Sequence, residues 1–353
     1  MIVDAHADSV RPLLLVGSVP LDSTAAVMAE AAQRLGARLT RYPDGETGAR
    51  KNWIAWQRAA FEAVAALVPT AAKERDYQLF PPFTLREGCT IDAVRFGALG
   101  FAREALASWK TFSTLKREGT LAPGARFQVA LPTAWAPVYS FVSYRWQLEV
   151  HAIYERALLD ELAQIAAAIP HDQLAVQWDI APEMSWWERV YPAPFADIEA
   201  GVIDSVARLA DAVPAGAELG IHLCYGSMNN RHWKEPADTA NLVAVANGLT
   251  ERIRRHIDFL HLPVPRNRDD AAYFAPLASL CLAPSTELFL GLLHLEDGIE
   301  GAARRIAAGR LFAPRFGLAC ECGLGRCAPE SITALLDLHA TAAVAEPRAE
   351  AAA

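Results

Sequence analysis

The chain has 353 residues, 52% hydrophobic and 21% charged, which is enough apolar material for one large α/β barrel or two ordinary domains and too much for a disordered chain. A formal net charge of -8, with lysine confined to Lys51, Lys73, Lys110, Lys116 and Lys234, excludes a general nucleic-acid binder, which needs clustered Lys and Arg against phosphate. The start lacks a basic n-region, and the apolar run at 13–16 is too short for a signal peptide or membrane span, so a cytoplasmic protein without a membrane partner is expected.

In chain order, strand-like apolar runs cover 13–19, 38–43, 127–131, 174–180, 218–224, 259–264, 288–295 and 316–322. Between them, apolar residues at i, i+3, i+4 predict helices over 24–35, 54–67, 150–169, 198–213, 238–257 and 331–338. Eight such strands alternating with helices are the pattern of a (β/α)8 TIM barrel; a doubly wound sheet is the second choice. A barrel takes about 250 residues, which leaves room for insertions. Segment 68–125, with Pro69, Pro81, Pro82, Gly88 and a helical piece over 101–109, reads as a lid-like, mainly helical insertion between the second and third strands. The expectation is one domain over 1–340 and a flexible Ala- and Glu-rich tail over 341–353.

Barrel enzymes place their chemistry just after the strands' C-terminal ends. Those positions hold Ser18, Asp44-Gly45-Glu46, Trp135, Asp179 and Glu183, His222 and Cys224, Arg266, His294 and Glu296, and Cys322 with Arg326. His222 and Cys224 are two apart on a strand, so they share a face, and Cys322 comes from another strand of the same sheet. Thiolate and imidazole are zinc ligands, and a catalytic zinc often has three protein ligands and an open position. Cysteines crowded at Cys320, Cys322 and Cys327 do not form a disulfide framework; Cys320 reads as packing. Gly17 is a lone turn glycine without a phosphate-binding fingerprint, so no nucleotide cofactor follows. Asp179 in an otherwise apolar strand needs a partner or a cleft. His232, after the polar stretch at 229–231, reads as a loop residue near the rim of the pocket.

The shared order of several short segments resembles the catalytic barrel of the cobalamin-independent methionine synthases, in the superfamily that also holds uroporphyrinogen decarboxylase. Gly17-Ser18-Val19-Pro20 resembles its Gly-Ser-x-Pro turn, Gly45-Glu46 with Arg50 its x-Gly-Glu segment, and Gln177-Trp178-Asp179 its Gln-x-Asp. His222-Leu223-Cys224-Tyr225 is similar to its His-x-Cys-Tyr zinc motif, and Cys322-Gly323-Leu324 with Arg326 to its Cys-Gly-Leu segment. The chain has the length of that catalytic barrel alone. One departure concerns the metal: Pro263 stands where the family has a glutamate ligand, and His261, two residues earlier, is a possible substitute.

The resemblance implies a zinc-dependent methyl or alkyl transferase that activates a thiol as a zinc-bound thiolate, with a small-molecule thiol and an alkyl donor as partners. Its metal ligands are then His222, Cys224, Cys322 and possibly His261. Asp179, Glu296 and His294 are the catalytic candidates. Ser18, Glu46, Asp179, Glu183, Trp178, Arg266 and Arg326 are the substrate-binding candidates, with Trp135, Trp186, Trp187 and Trp233 as an aromatic rim around the donor. The alternative is a zinc-free lyase or decarboxylase-like barrel that uses its carboxylates on a small anionic substrate. Oligomeric state is not legible.

Overall fold

A computed structural model of the chain describes residues 11–75, 78–226 and 231–344. Seven parallel strands form one curled sheet in the order β1 (Arg41–Pro43), β4 (Arg126–Pro132), β5 (Leu174–Ile180), β6 (Glu218–Leu223), β7 (Phe259–Pro263), β8 (Glu287–Leu293) and β9 (Gly317–Cys320). A separate antiparallel pair, β2 (Leu67–Pro69) and β3 (Phe83–Leu85), lies in the insertion. The helices are α1 (Thr24–Leu35), α2 (Arg58–Glu62), α3 (Phe101–Arg117), α4 (Trp135–Phe141), α5 (Gln147–Ala168), α6 (Pro182–Trp187), α7 (Ile198–Asp211), α8 (Ala240–Arg252), α9 (Ala271–Phe274), α10 (Gly298–Arg310) and α11 (Ile332–Val344).

The elements follow from local chemistry. Ser23 caps α1, its side chain accepting from the Ala26 N–H, and Gly36 ends the helix with a positive φ. Every residue of β5 is buried, as expected of a parallel strand covered on both faces. The outward face of the sheet packs on the helices. The inward face has a small core of its own, built from Leu14, Val16, Ala175, Phe259, Phe289 and Ala319.

The expected first strand is not a strand. Leu13 makes isolated parallel bridges to Leu39 on one side and Leu318 on the other, so the segment spans the sheet's two edges without a ladder. Pro12 and Pro20 lack an N–H, and the carbonyls of Leu15 and Val16 are taken by side chains instead of neighbouring strands. The Gln128 amide donates to both of them, at 3.0 and 3.1 Å, and Gln177 donates to Val16 at 2.7 Å. The sheet therefore has seven strands where eight were expected.

The insertion lies between β1 and β4 as expected, but it contains the β2–β3 pair beside the long helix α3, which packs on α1 and α5. Helix α10 was not expected from the sequence pattern. Helix α11 runs to Val344, and the rest of the expected tail, 345–353, lies outside the described residues, as do 227–230 in the expected polar loop. Among the described residues no helix is long and apolar enough to cross a membrane.

Candidate metal and substrate site

Strand register builds the centre. Asp179 on β5, His222 on β6 and His261 on β7 are direct neighbours in one row across three parallel strands, so their side chains share the inward face. Cys224 follows two residues after His222, its N–H bonded to the Ile180 carbonyl at 2.9 Å. Cys322 lies just past β9.

The Cys322 sulfur is 3.7 Å from Cys224 Sγ and 3.7 Å from His222 Nε2, and the three ligand atoms all lie within 4.8 Å of one another. Zinc–sulfur bonds of about 2.3 Å and zinc–imidazole bonds of about 2.0 Å meeting at the tetrahedral angle put ligand atoms about 3.5–3.8 Å apart. The donor set and its spacing thus fit a zinc ion. The Cys322 hydrogen bond and burial push the Cys224 thiol well above its ordinary pKa, as expected when two thiols share one small space without a cation. His261 is outside this triad: its Nδ1 lies 2.7 Å from His222 Nδ1, the ring nitrogen not used toward Cys322. Pro263 lies in the wall of a neighbouring cavity, so no carboxylate takes the fourth position there.

Two cavities share the Cys224–Cys322 wall. The smaller, about 130 Å³, is lined by Ser18, Glu46, Trp53, Tyr139, Asp179, His222 and Trp233, and Arg326 reaches it too. Its two acids are held above their ordinary pKa. For Asp179, burial is the main cause and the value is about 6, with His222 and the Gln177 amide, 2.8 Å away, pulling it back down. For Glu46, burial acts first, then the charges of Asp179 and Asp44. Like charges gathered under low dielectric are poised for a cation or a proton.

The backbone is shaped to put Glu46 there. Gly45 has φ 79°, and a Cβ on it would meet the Val27 side chain at 2.6 Å, so the turn requires glycine. Asp44 braces the turn: its side chain accepts from the Glu46 N–H at 2.8 Å, from Ser108 of α3 at 2.8 Å, and pairs with Arg50 at 2.9 Å. The insertion's helix is therefore a buttress for the site. Across the cavity Gly323 and Gly325 wrap Ser18, and a Cβ on Gly323 would lie 2.5 Å from Ser18 Oγ. Trp53, inside a kinked 3-10 stretch, has φ 54°, a strained value for a bulky side chain that the surrounding fold must impose.

The larger cavity, about 940 Å³, is lined by His232, Arg266, His294, Glu296, Glu321 and Arg326 among others. His294 Nε2 faces the Val264 carbonyl at 2.9 Å and must donate to it; burial holds the ring below its ordinary pKa, which leaves a neutral imidazole with a lone pair on Nδ1. Glu296 is exposed and 3.9 Å from Arg266. Burial opposes charge on His232, but Glu321 at 3.2 Å and Glu235 at 3.1 Å hold its ring up to about 9.

The site thus gathers Ser18, Glu46, Asp179, His222, Cys224, Cys322 and Arg326 round the smaller cavity, and Arg266, His294 and Glu296 round the larger. Trp178 and Glu183 reach neither. Trp178 alternates with Gln177 and Asp179 along β5, which turns its wholly buried ring to the opposite face. Glu183 is wholly buried, and the Thr133 hydroxyl and the backbone at 181 and 183 offset that burial only in part. Of the expected aromatic rim, Trp233 lines the cavity, whereas Trp135 and Trp186 pack edge to face in the core. Trp53 and Tyr139 line it unexpectedly. Trp53 left only its place soon after the Asp44-Gly45-Glu46 turn as a signal; Tyr139 left none.

No protein-family model matches the chain, and no curated protein matches it. Among solved structures, it is similar to a methyltransferase from Methanosarcina mazei, at 12% identity and a TM-score of 0.51, over 97% of this chain and 94% of that one. It is also similar to a putative vitamin-B12 independent methionine synthase from Listeria monocytogenes, at 13% identity and a TM-score of 0.50, over 90% and 86% of the two chains. At such identities the likeness establishes a shared fold.

Proposed function

We propose that the protein transfers a methyl or related alkyl group to a small thiol, using a zinc ion held by His222, Cys224 and Cys322. The observation that carries this reading is the triad itself: one imidazole nitrogen and two sulfurs, with 3.7 Å edges at Cys322, where parallel strands end. The fold shared with proteins described as a methyltransferase and a methionine synthase supports it. In this reading residues 1–340 are one cytoplasmic (β/α)8 barrel, with segment 12–19 as its eighth stave and 68–125 as a lid-like insertion.

Zinc bound there supplies a Lewis acid that keeps a substrate thiol in its thiolate form at neutral pH. The chain's own residues do the rest. Glu46 and Asp179 offer negative charge to a cationic end of the acceptor, and Ser18 and Trp53 close the smaller chamber round it. The larger chamber has room for the donor on the other side of the two cysteines. His294, neutral and with an open Nδ1, accepts a proton, whereas the charged His232 ring is able to give one to a leaving group.

A zinc-free acid/base enzyme is the second reading, favoured by the upward pressure of burial and of Asp179 on Glu46 and by proline at position 263. Metal content of tag-free protein, measured by mass spectrometry beside folded Cys322→Ser and His222→Ala variants, separates the two. One equivalent of zinc in the parent is expected, with affinity lowered more than about a hundredfold in each variant, beyond what loss of an outer partner costs. A parent without metal after growth and purification with added zinc sinks the transferase reading and leaves the acid/base one.

A further inference from the structure

His261 is two residues from the position where the resembling family places a glutamate, yet it does not turn to the thiols. Its Nε2 lies 3.0 Å from the Cys320 carbonyl oxygen, and its Nδ1 lies 2.7 Å from His222 Nδ1. A carbonyl only accepts, so His261 carries its proton on Nε2. The residue is wholly buried and both ring nitrogens are taken by these two partners, so a second proton would put a charge in the core without a carboxylate bonded to it. A neutral His261 therefore presents a lone pair on Nδ1, and the short contact requires His222 to donate from its own Nδ1. In a neutral His222 the bare nitrogen is then Nε2, and it is this nitrogen that faces Cys322 at 3.7 Å.

We propose that His261 is a positioning residue: the chain from the Cys320 carbonyl through His261 to His222 locks His222 in its Nδ1–H tautomer and aims the bare Nε2 at the site shared with Cys224 and Cys322. An isolated imidazole prefers the other tautomer, so the fold reverses the default. The same strand that delivers His222 to the site carries it in register with His261, so the two rings cannot drift apart without unzipping β6 from β7. In terms of zinc this rests on the proposed function, but the tautomer is a property of the protein without metal.

The test is a two-bond 1H–15N correlation spectrum of metal-free, histidine-labelled protein. The parent should show His222 protonated at Nδ1 and bare at Nε2. His261→Leu should move that proton to Nε2. His261→Gln, whose amide keeps one acceptor and one donor at a similar separation, should restore the parent pattern. Zinc affinity from chelator competition should fall about 10–100-fold in His261→Leu and stay within about threefold of the parent in His261→Gln. A neutral His222 in the parent that is protonated at Nε2 and bare at Nδ1 overturns the proposal, and that measurement needs no variant to fold. An unchanged tautomer in His261→Leu, or equal loss of affinity in both variants, overturns it as well. A parent that binds no zinc but shows the Nδ1–H tautomer ends the zinc reading and supports the relay.

Discussion

The two ends of the parallel sheet are built on opposite electrostatic plans. At the N-terminal end Arg41 of β1 pairs with Glu218 of β6 and Glu287 of β8, Arg126 of β4 pairs with Glu218 at 2.9 Å, and Arg41 also lies over the Phe259 ring. These four charges each meet an opposite one. At the C-terminal end burial and the charge of Asp179 raise Glu46, burial raises Asp179, two thiols are in contact, and Glu46 and Trp53 hold positive φ. One end uses its charges to hold strands together; at the other, burial outweighs Arg50 and His222 and keeps Glu46 and Asp179 above their ordinary pKa, an arrangement suited to binding something between them.

The largest effect on stability should come from breaking the satisfied end. Arg41 is nearly buried, and Arg41→Met would leave Glu287 without its partner, leave Glu218 to Arg126 alone and remove the cation from the Phe259 ring, at a cost of about 3 kcal/mol in urea unfolding, with zinc content unchanged. If metal is lost together with stability, the two ends are not independent.

Next comes the unsatisfied end. Burial raises Glu183 from 4.5 to about 7, so the folded protein keeps a proton that the unfolded chain gives up. Stability from this group is full below about pH 4.5 and declines as pH rises through about 7. Glu183→Gln should remove that decline, and at pH 8 the variant should exceed the parent by on the order of 2 kcal/mol. Parallel stability curves from pH 4 to 8 would show that the hydrogen bonds from Thr133 and the backbone offset burial in full. The smallest effect belongs to Glu287, whose side chain is 40% exposed: Glu287→Gln should cost under about 1 kcal/mol and less still in high salt.

Local chemistry made much of this legible beforehand. The 3.6-residue period located α1, and the apolar run of β5 was located to the residue, because in both cases the signal sits inside the element. The His222, Cys224 and Cys322 grouping was legible from alternation along a strand. What escaped depends on distant partners. The segment at 12–19 looks like a strand, but glutamine amides from two other strands take its carbonyls. Helix α10, GIEGAARRIAAGR, has too many glycines and alanines to show an apolar stripe. The His222–His261 contact joins residues on adjacent strands whose register no single segment specifies, and Trp178 misled because its neighbours on β5, not the residue itself, point inward.

The segment bearing Ser18 has a consequence for how the chain is made. Its bonds run to Arg38, Gln128, Gln177 and Leu318, so a stretch that leaves the ribosome early finds its last partner only when nearly the whole sheet has been synthesised. Bridging of the sheet's two edges and completion of the smaller chamber are then one event, late and long-range, and a nascent chain halted before residue 318 has neither.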